Sequence, residues 1–544
     1  MGPGTIKGTD ALLDDGFNCH QRGQLAAAEQ AYLNVLQLEP GHVDALHLLG
    51  LIRHQTKRYP EAIDLIQRAI ALKGTACSIL LTNLGAALQE SNRAEEAEES
   101  YRRALQVKPD YLTAHQNLCR LLTIRGRVQD AATAWFNFGN VMLDQNKPEE
   151  ALIHFRFAQV LAPERATIMH DTATALARLG RLEDSVAAYR ASLSLDSQSA
   201  MCWNNLGWVL FQLGRPTEAI DKFRRAISLN PELPEPHMCL AMTQLRLGQF
   251  EEGWREYEWR WKSAAQQFAR KTRSEPVWDG QPLSGRSLLI ESEQGIGDVL
   301  QFVRYVDDLY RQGERIVFHC PQVLAPLLKN CTSFGEAVHV ESPPACDLRI
   351  SLLSLPYVLG TTVETIPQNV PYLQVAEERI QVWRERLKAR AGFRIGVVWQ
   401  GNSAYLDDRQ RSFSLQKYGP LAQLPGVQLV SLQKGGGSEQ VNQVGFRIQP
   451  PADSFDEDGP FLDTAAVMAS LDLVIAPNTS LAHLAGALGV PVWVILSTIA
   501  TDWRWIENRD DTAWYPTMRL YRQKKAGDWD EVFNRVYADV AAML

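Results

Sequence analysis

The sequence predicts an α-solenoid of helical hairpins followed by an α/β region of two Rossmann-like parallel-sheet domains. Three observations lead there. A pattern of small and large apolar residues recurs at steps of 34 or 35 residues through the first half. From Ser287 the pattern changes to short apolar runs separated by helix-length segments. And 544 residues are too many for one hydrophobic core.

The clearest repeat carries Trp203, Leu206, Gly207, Leu210, Ala219, Phe223, Ala226 and Pro231. This is the tetratricopeptide pattern, in which small residues let two helices approach and a proline stops the second. The same offsets return with Leu81, Leu84, Gly85, Leu88, Ala97, Tyr101, Ala104 and Pro109, and with Leu46, Leu49, Gly50, Ala62, Ile66 and Ala69. Weaker copies run through Gly16, Ala28, Tyr32 and Pro40, and through Met169, Leu176, Tyr189 and Ser192. Repeat ends at Pro40, Gly74, Pro109, Pro163, Ser197 and Pro231 leave one long step, of 54 residues, between Pro109 and Pro163. Ala131 and Trp135 there suit the second helix of one hairpin, while Trp135, Phe138 and Gly139 suit the first helix of the next. A local break in the superhelix is expected near 125–145.

A lone hairpin cannot bury its apolar face, so stacking stabilises the array and leaves a concave surface. That surface is either a groove for a protein or peptide partner, or part of a scaffold or dimerisation module. The array is expected over 7–265. It ends in the aromatic-dense stretch Gly253, Trp254, Tyr257, Trp259 and Trp261, read as a capping helix docked on the next domain in preference to a carbohydrate-stacking platform.

After a linker at 266–286, the runs at 287–292, 315–320, 337–341 and 347–350 predict strands of one parallel sheet, within a domain spanning 287–375. Runs at 394–400, 427–433, 472–477 and 491–496 predict a second, within 376–544, which closes on a C-terminal helix. Parallel sheets bind ligands at the carboxyl ends of their strands, so the strand exits are where chemistry is expected.

The first exit is Glu293-Gln294-Gly295-Ile296-Gly297-Asp298. Gly295 and Gly297 let backbone approach a ligand. Asp298 can take a proton from an acceptor hydroxyl, or it can simply cap the following helix. The second exit, Asn478-Thr479-Ser480, offers hydroxyls and free N–H groups at a helix start, which suits a diphosphate. His483 follows one turn later, as part of the site or as a satisfied core histidine. The third, Trp399-Gln400-Gly401-Asn402, is followed by Asp407, Asp408, Arg409, Arg411 and Ser412. Asn402 is a candidate contact to a donor, and Arg411 can neutralise phosphate oxygens, unless the loop is only solvated charge. The glycines after Gln433-Lys434 lack P-loop spacing, and there is no G-x-S-x-G elbow or H-E-x-x-H pair. No metal site is expected, since Asp407-Asp408 is contiguous and not a spaced D-x-D.

Composition narrows the class. With 45% hydrophobic and 22% charged residues the chain is ordinary globular protein, and a net charge of −8 argues against a nucleic-acid footprint. No apolar stretch has the length of a transmembrane span, and the first residues do not read as a secretory signal. The eight cysteines lack metal or C-x-x-C spacing, which predicts a disulfide-free cytoplasmic protein.

Residues 295–305 (GIGDVLQFVRY), 397–402 (VVWQGN), 407–415 (DDRQRSFSL) and 478–496 (NTSLAHLAGALGVPVWVIL) together resemble the heptosyltransferase-type family of glycosyltransferases. The tail at 502–523 (DWRWIENRDDTAWYPTMRLYRQ) resembles bacterial tetratricopeptide proteins that carry this domain. The resemblance implies a GT-B fold and an inverting mechanism without metal or other cofactor. It also implies a nucleotide-sugar donor held mainly by the C-terminal domain, with the acceptor on the side of the first. Asp298 takes the place of the family's catalytic aspartate, and Thr479, Ser480 and His483 match the segment that binds donor phosphates. Asn478 stands where the family usually has aspartate. Repeats joined to such a unit are similar in architecture to protein O-linked N-acetylglucosamine transferases, which implies a protein acceptor. The alternative is a repeat scaffold whose GT-B domain no longer transfers sugar.

Overall fold

The computed structural model describes residues 8–73, 77–263, 275–293, 295–341, 343–387, 392–402, 408–449, 455–498 and 502–544. The chain divides into two compact units, Met1–Gly214 and Arg215–Leu544.

In the first unit the expected hairpins form. Thr9–Gln21 pairs with Leu25–Leu38, Val43–Gln55 with Tyr59–Lys73, Ser78–Glu90 with Ala94–Val107, and Ala166–Arg178 with Leu182–Leu195. The periodic glycines are what lets each pair close. A Cβ on Gly16 would stand 2.6 Å from Tyr32, one on Gly50 2.7 Å from Ile66, and one on Gly85 2.6 Å from Tyr101. Each of those large side chains is fully buried.

Where the sequence predicts a break, the structure has one uninterrupted helix, Val128–Asp144, of 17 residues. It closes one hairpin with Leu112–Ile124 and opens another with Pro148–Leu161. This explains why the 54-residue step is one helix short of two full repeats: one helix serves both, so a helix is saved and the stack continues. Ala131, Ala132 and Ala134 are buried in the cluster holding Leu118 and Leu122, and Gly139 meets Phe155 across the next crossing. Around it stack His115 on Phe138 at 5.4 Å, Phe138 on His154 at 4.0 Å, and Trp135 on Phe157 at 4.7 Å.

The second unit begins with Pro216–Leu229, Pro234–Arg246 and Phe250–Tyr257, then a short 3-10 turn, Glu258–Lys262. The aromatic segment docks as expected. Trp254, 1% exposed, lies edge-on to Phe302 at 6.1 Å and to Trp503 at 5.2 Å, and Phe250 stacks on Trp514. With Trp254 and Tyr257 buried, neither offers a face to a sugar. Arg260, nearly fully buried, forks onto Glu293 at 2.9 and 2.8 Å, and also reaches Glu258 and Ser354. A buried ion pair of this kind is destabilising by several kcal/mol when one partner is removed, because the other charge is left without compensation.

Two sheets follow, every ladder parallel. In chain order the first sheet has β1 (Ser287–Glu291), β2 (Arg315–His319), β3 (Val338–His339) and β4 (Leu348–Ser351), arranged β3-β2-β1-β4. The second has β5 (Phe393–Val397), β6 (Val427–Ser431), β7 (Leu473–Pro477), β8 (Val492–Leu496) and β9 (Met518–Arg522), arranged β6-β5-β7-β8-β9. β7 and β8 are buried at every residue, as strands covered on both faces must be. β9 was not expected from the sequence: it is an edge strand, MRLYR, whose arginines hide its apolar alternation. Part of the expected linker joins the first sheet, since Val277 bridges Arg349 of β4 and Trp278 is buried; residues 264–274 lie outside the described residues. One core fills the space from Trp254 through both sheets, and a second, with Phe413, Tyr418 and Phe533, covers the outer face of the second sheet under the C-terminal helix Trp529–Met543. None of the eight cysteines, all of them among the described residues, is in a disulfide. Among the described residues no helix is long and apolar enough to cross a membrane.

Gly139→Val places a branched side chain against Phe155 and is expected to destabilise the first unit by about 1–3 kcal/mol, as overpacked cores do. Urea unfolding followed by circular dichroism checks it; an unchanged midpoint would show that the helix crossing is looser than described.

Candidate functional site

Strand order singles out two places. In the first sheet the order turns at β1, flanked by β2 on one side and β4 on the other; in the second it turns between β5 and β7. Such switch points leave a crevice at the strand exits, because the helices after neighbouring strands go to opposite faces. The exit of β1 carries Gly295–Asp298, and the exits of β5 and β7 carry Gly401-Asn402 and Asn478–Ser480. Each candidate picked from the sequence therefore sits at a strand exit or in the first residues of the helix after it, except Arg411 and His483, which lie farther along.

Two helices then bring these exits together. Ile296–Arg311 follows β1, Ser480–Ala487 follows β7, and the two pack on each other near their N-termini. The closest point is Gly297, where a Cβ would lie 3.2 Å from the His483 ring and 3.6 Å from Ser480 Cα. The missing side chain of Gly297 is thus filled by His483. Gly295 has ordinary extended backbone (φ −67°), and its N–H donates to Asp298 Oδ2 at 2.8 Å, so Asp298 does cap its helix.

Capping occupies only one oxygen. Asp298 Oδ1 accepts from Arg504 Nη2, and Arg504 also donates to Gln301 Oε1 and, at 3.0 and 2.9 Å, to both oxygens of Asp502. Arg504 is buried, while Asp298 keeps 18% of its side chain exposed. Burial raises the Asp298 carboxyl above the usual carboxylate range; Arg504 and the Gly295 N–H offset part of that, and Asp502 and Glu293 add to it. Asp502 is pushed up by burial too, yet Arg504 holds it below its ordinary value. Arg504 itself is kept cationic against its burial by Asp502 and Asp298.

His483 stacks on Trp505 at 5.4 Å, and its Nδ1 pairs with the Tyr515 hydroxyl at 3.0 Å. Burial, followed by the charges of Arg504 and Arg304, lowers it to about 3, so it is neutral throughout the physiological range. A neutral imidazole there is a packing and hydrogen-bonding group, not a phosphate countercharge.

On the second sheet, Arg411 donates from Nη1 to the Asn478 carbonyl at 2.8 Å and from Nε to Asp408 at 3.0 Å, tying the β5 exit to the β7 exit. Gly401 lies against this pair: its N–H donates to Ser412 Oγ at 3.1 Å, and Ser412 Oγ donates to Asp408. Asn402 is exposed at the same exit, and Asp407 and Gln294 lie outside the described residues. Gln433 closes the neighbouring loop by accepting from the Trp399 and Gln400 N–H groups and donating to Gly436.

Thr479 is the N-cap of Ser480–Ala487, but its side chain makes no capping bond, and Thr479 Oγ1 is buried with no protein partner among the described residues. The same holds for Gln301 Nε2 and Trp505 Nε1, which lie on the two residues flanking this junction. A buried polar atom left without a partner costs about 1–3 kcal/mol. No group of three or more His, Cys, Asp or Glu among the described residues could hold a metal. Arg504, Asp502, Gln301 and Trp505 were not expected as site residues. The one signal for Gln301 was its i, i+3 spacing from Asp298 on the same helix face.

Family models for tetratricopeptide repeats match residues 43–110, 136–200 and 170–234. Protein FlbA of Caulobacter vibrioides is 26% identical over 557 residues, covering 94% of this chain and 86% of FlbA. Human protein O-mannosyl-transferase TMTC1 is 28% identical over 164 residues, 30% of this chain and 16% of that protein. Among solved structures, YrrB, described as a tetratricopeptide protein with an unusual peptide-binding site, matches 31% of this chain at 18% identity with a TM-score of 0.21. The chain thus contains a tetratricopeptide solenoid, followed by two parallel-sheet α/β modules.

A histidine buried neutral makes folding stability fall with acid. The unfolded chain takes up its proton from about pH 6.5 downward, whereas the folded one does not until about pH 3. Replacing His483 by Gln is expected to lower the melting temperature at pH 8 and to flatten its decline between pH 6 and 4, by up to about 1.4 kcal/mol per pH unit. Parallel melting curves for the two proteins across that range would show His483 to be charged in the fold.

Proposed function

We propose that the α/β half is an inverting glycosyltransferase of GT-B type, working without metal, which moves a sugar from a nucleotide sugar to a hydroxyl presented by a protein. The observation that carries this reading is the meeting of the Asp298 and Thr479–Ser480 helix starts across Gly297 and His483, each at the switch point of its own sheet.

In this reading the acceptor oxygen attacks the anomeric carbon and its proton passes to Asp298. The bond from that carbon to the diphosphate oxygen breaks, and the leaving diphosphate keeps the electron pair. A raised carboxyl suits a base that must later release its proton. The leaving charge is met by the free N–H groups at the start of Ser480–Ala487 and by the Thr479 hydroxyl, with Arg411 as the nearby cation. Asn402 and Asn478 are proposed contacts to the donor. The solenoid supports the protein-acceptor part, and the name of TMTC1, a protein O-mannosyl-transferase, is in keeping with it over the stretch matched. A second reading, a repeat scaffold with an inactive nucleotide-binding module, is favoured by Asp298 being engaged at both oxygens.

Melting curves of the full chain with millimolar UDP, GDP, ADP, dTDP and CMP separate these readings, because a ligand of the folded state raises the melting temperature. One nucleotide is expected to stabilise the wild type, and Thr479→Val to reduce that shift. Asp298→Asn is expected to keep the shift while lowering sugar transfer from the matching nucleotide sugar by about 10²–10⁴-fold. Binding without transfer in the wild type would establish the scaffold reading, and no shift with any nucleotide would reject both.

A further inference from the structure

Asp298 is held from two directions, and only one of them belongs to its own helix. The Gly295 N–H on Oδ2 is the local cap. The contact on Oδ1 comes from a residue 206 positions away, in the 502–505 segment after β8. Arg504 divides its donors three ways: Nη2 to Asp298, Nε to Gln301 one turn along the same helix, and Nη1 to Asp502. Its guanidinium lies over the Trp503 ring at 4.3 Å and the Phe302 ring at 5.8 Å. The Asp298 carboxylate is thus held by one donor on each oxygen, the Gly295 N–H on Oδ2 and Arg504 Nη2 on Oδ1, and the two together fix its plane.

We infer that Arg504, shared between Asp298 and Asp502, is a positioning residue that sets the orientation and the charge of Asp298. This rests on the reading of Asp298 as the base of the site. The charged and titratable groups that face the carboxylate are Glu293 from the β1 exit, His483 from the Ser480–Ala487 helix, and Asp502 and Arg504 from the 502–505 segment; Tyr257 acts on it through Arg504. His483 stays neutral, and Glu293 is tied to Arg260. The balance is therefore set by one cation between two carboxylates. Asp502 works against Asp298 twice, as a negative charge nearby and as a competitor for the same guanidinium. Removing Arg504 and removing Asp502 must then move Asp298 in opposite directions.

The test needs no donor or acceptor, so it remains readable if the glycosyl-transfer reading fails. The full chain and its Asp298→Asn variant are melted from pH 4 to pH 8, in the wild-type background and with Arg504→Gln, Arg504→Lys or Asp502→Asn. The folded Asp298 binds its proton more tightly than the unfolded one. Its contribution is therefore present at low pH and lost as pH rises through its folded-state value. The wild type accordingly loses stability relative to Asp298→Asn over that window, and the end of the decline marks the folded-state value. Arg504→Gln is expected to move that end to higher pH by about one unit or more. Arg504→Lys is expected to move it less in the same direction, and Asp502→Asn to move it to lower pH. A guanidinium that only props up the 502–505 segment would lower every melting temperature by an amount independent of pH. Unchanged windows, or shifts of the same sign for Arg504→Gln and Asp502→Asn, would overturn the assignment. If Arg504→Gln does not fold, the lysine and Asp502→Asn variants carry the same comparison.

Discussion

The α/β half depends on the close crossing of two helices, Ile296–Arg311 and Ser480–Ala487, each launched from the switch point of a different sheet. The crossing is possible because Gly297 has no side chain where the His483 ring lies. A larger residue would push the two helix starts apart, and with them Asp298 and Thr479. Gly486, one turn on from His483, leaves the same kind of space for Tyr515, which in turn holds His483 Nδ1. Packing of small residues against rings thus fixes the relation between the two strand exits before any polar interaction acts.

Buried arginines then join parts of the unit that lie far apart in sequence. Arg260 ties the end of the helical segment to the β1 exit through Glu293. Arg304, almost wholly buried, donates to the Trp514 carbonyl and the Tyr372 hydroxyl, joining the first module's helix to the tail of the second. Arg504 joins the same helix to the segment after β8. Arginine suits this work because its several directed donors can satisfy partners from different elements at once, and its charge survives burial. Leaving any such cation without its partners would be severe, so these contacts confine the junction to one arrangement.

The solenoid shows a similar economy of elements at its 54-residue step. Val128–Asp144 packs on both neighbours, with Phe138 stacked between His115 and His154 and Gly139 against Phe155, so a single helix completes two hairpins. The stacked rings of His115, Phe138, His154, Trp135 and Phe157 line this place and give the shared helix contacts on both sides.

Local periodicity carries the architecture: the helical hairpins follow from glycine and proline spacing, and eight of the nine strands among the described residues follow from apolar runs. These features depend on that periodicity and on which residues must be buried. The sequence also pointed to the strand exits, since parallel sheets bind there, and so to Asp298, Thr479 and Ser480. Their surroundings come from long-range packing. It put His483 in the gap at Gly297, turned Arg411 onto the Asn478 carbonyl, and brought Arg504 and Asp502 to Asp298. It also paired β9 at the sheet edge and ran one helix through the expected break. Contacts between residues some 200 positions apart leave no periodic trace in a single chain, because either end alone is only a charged residue in a loop or on a helix.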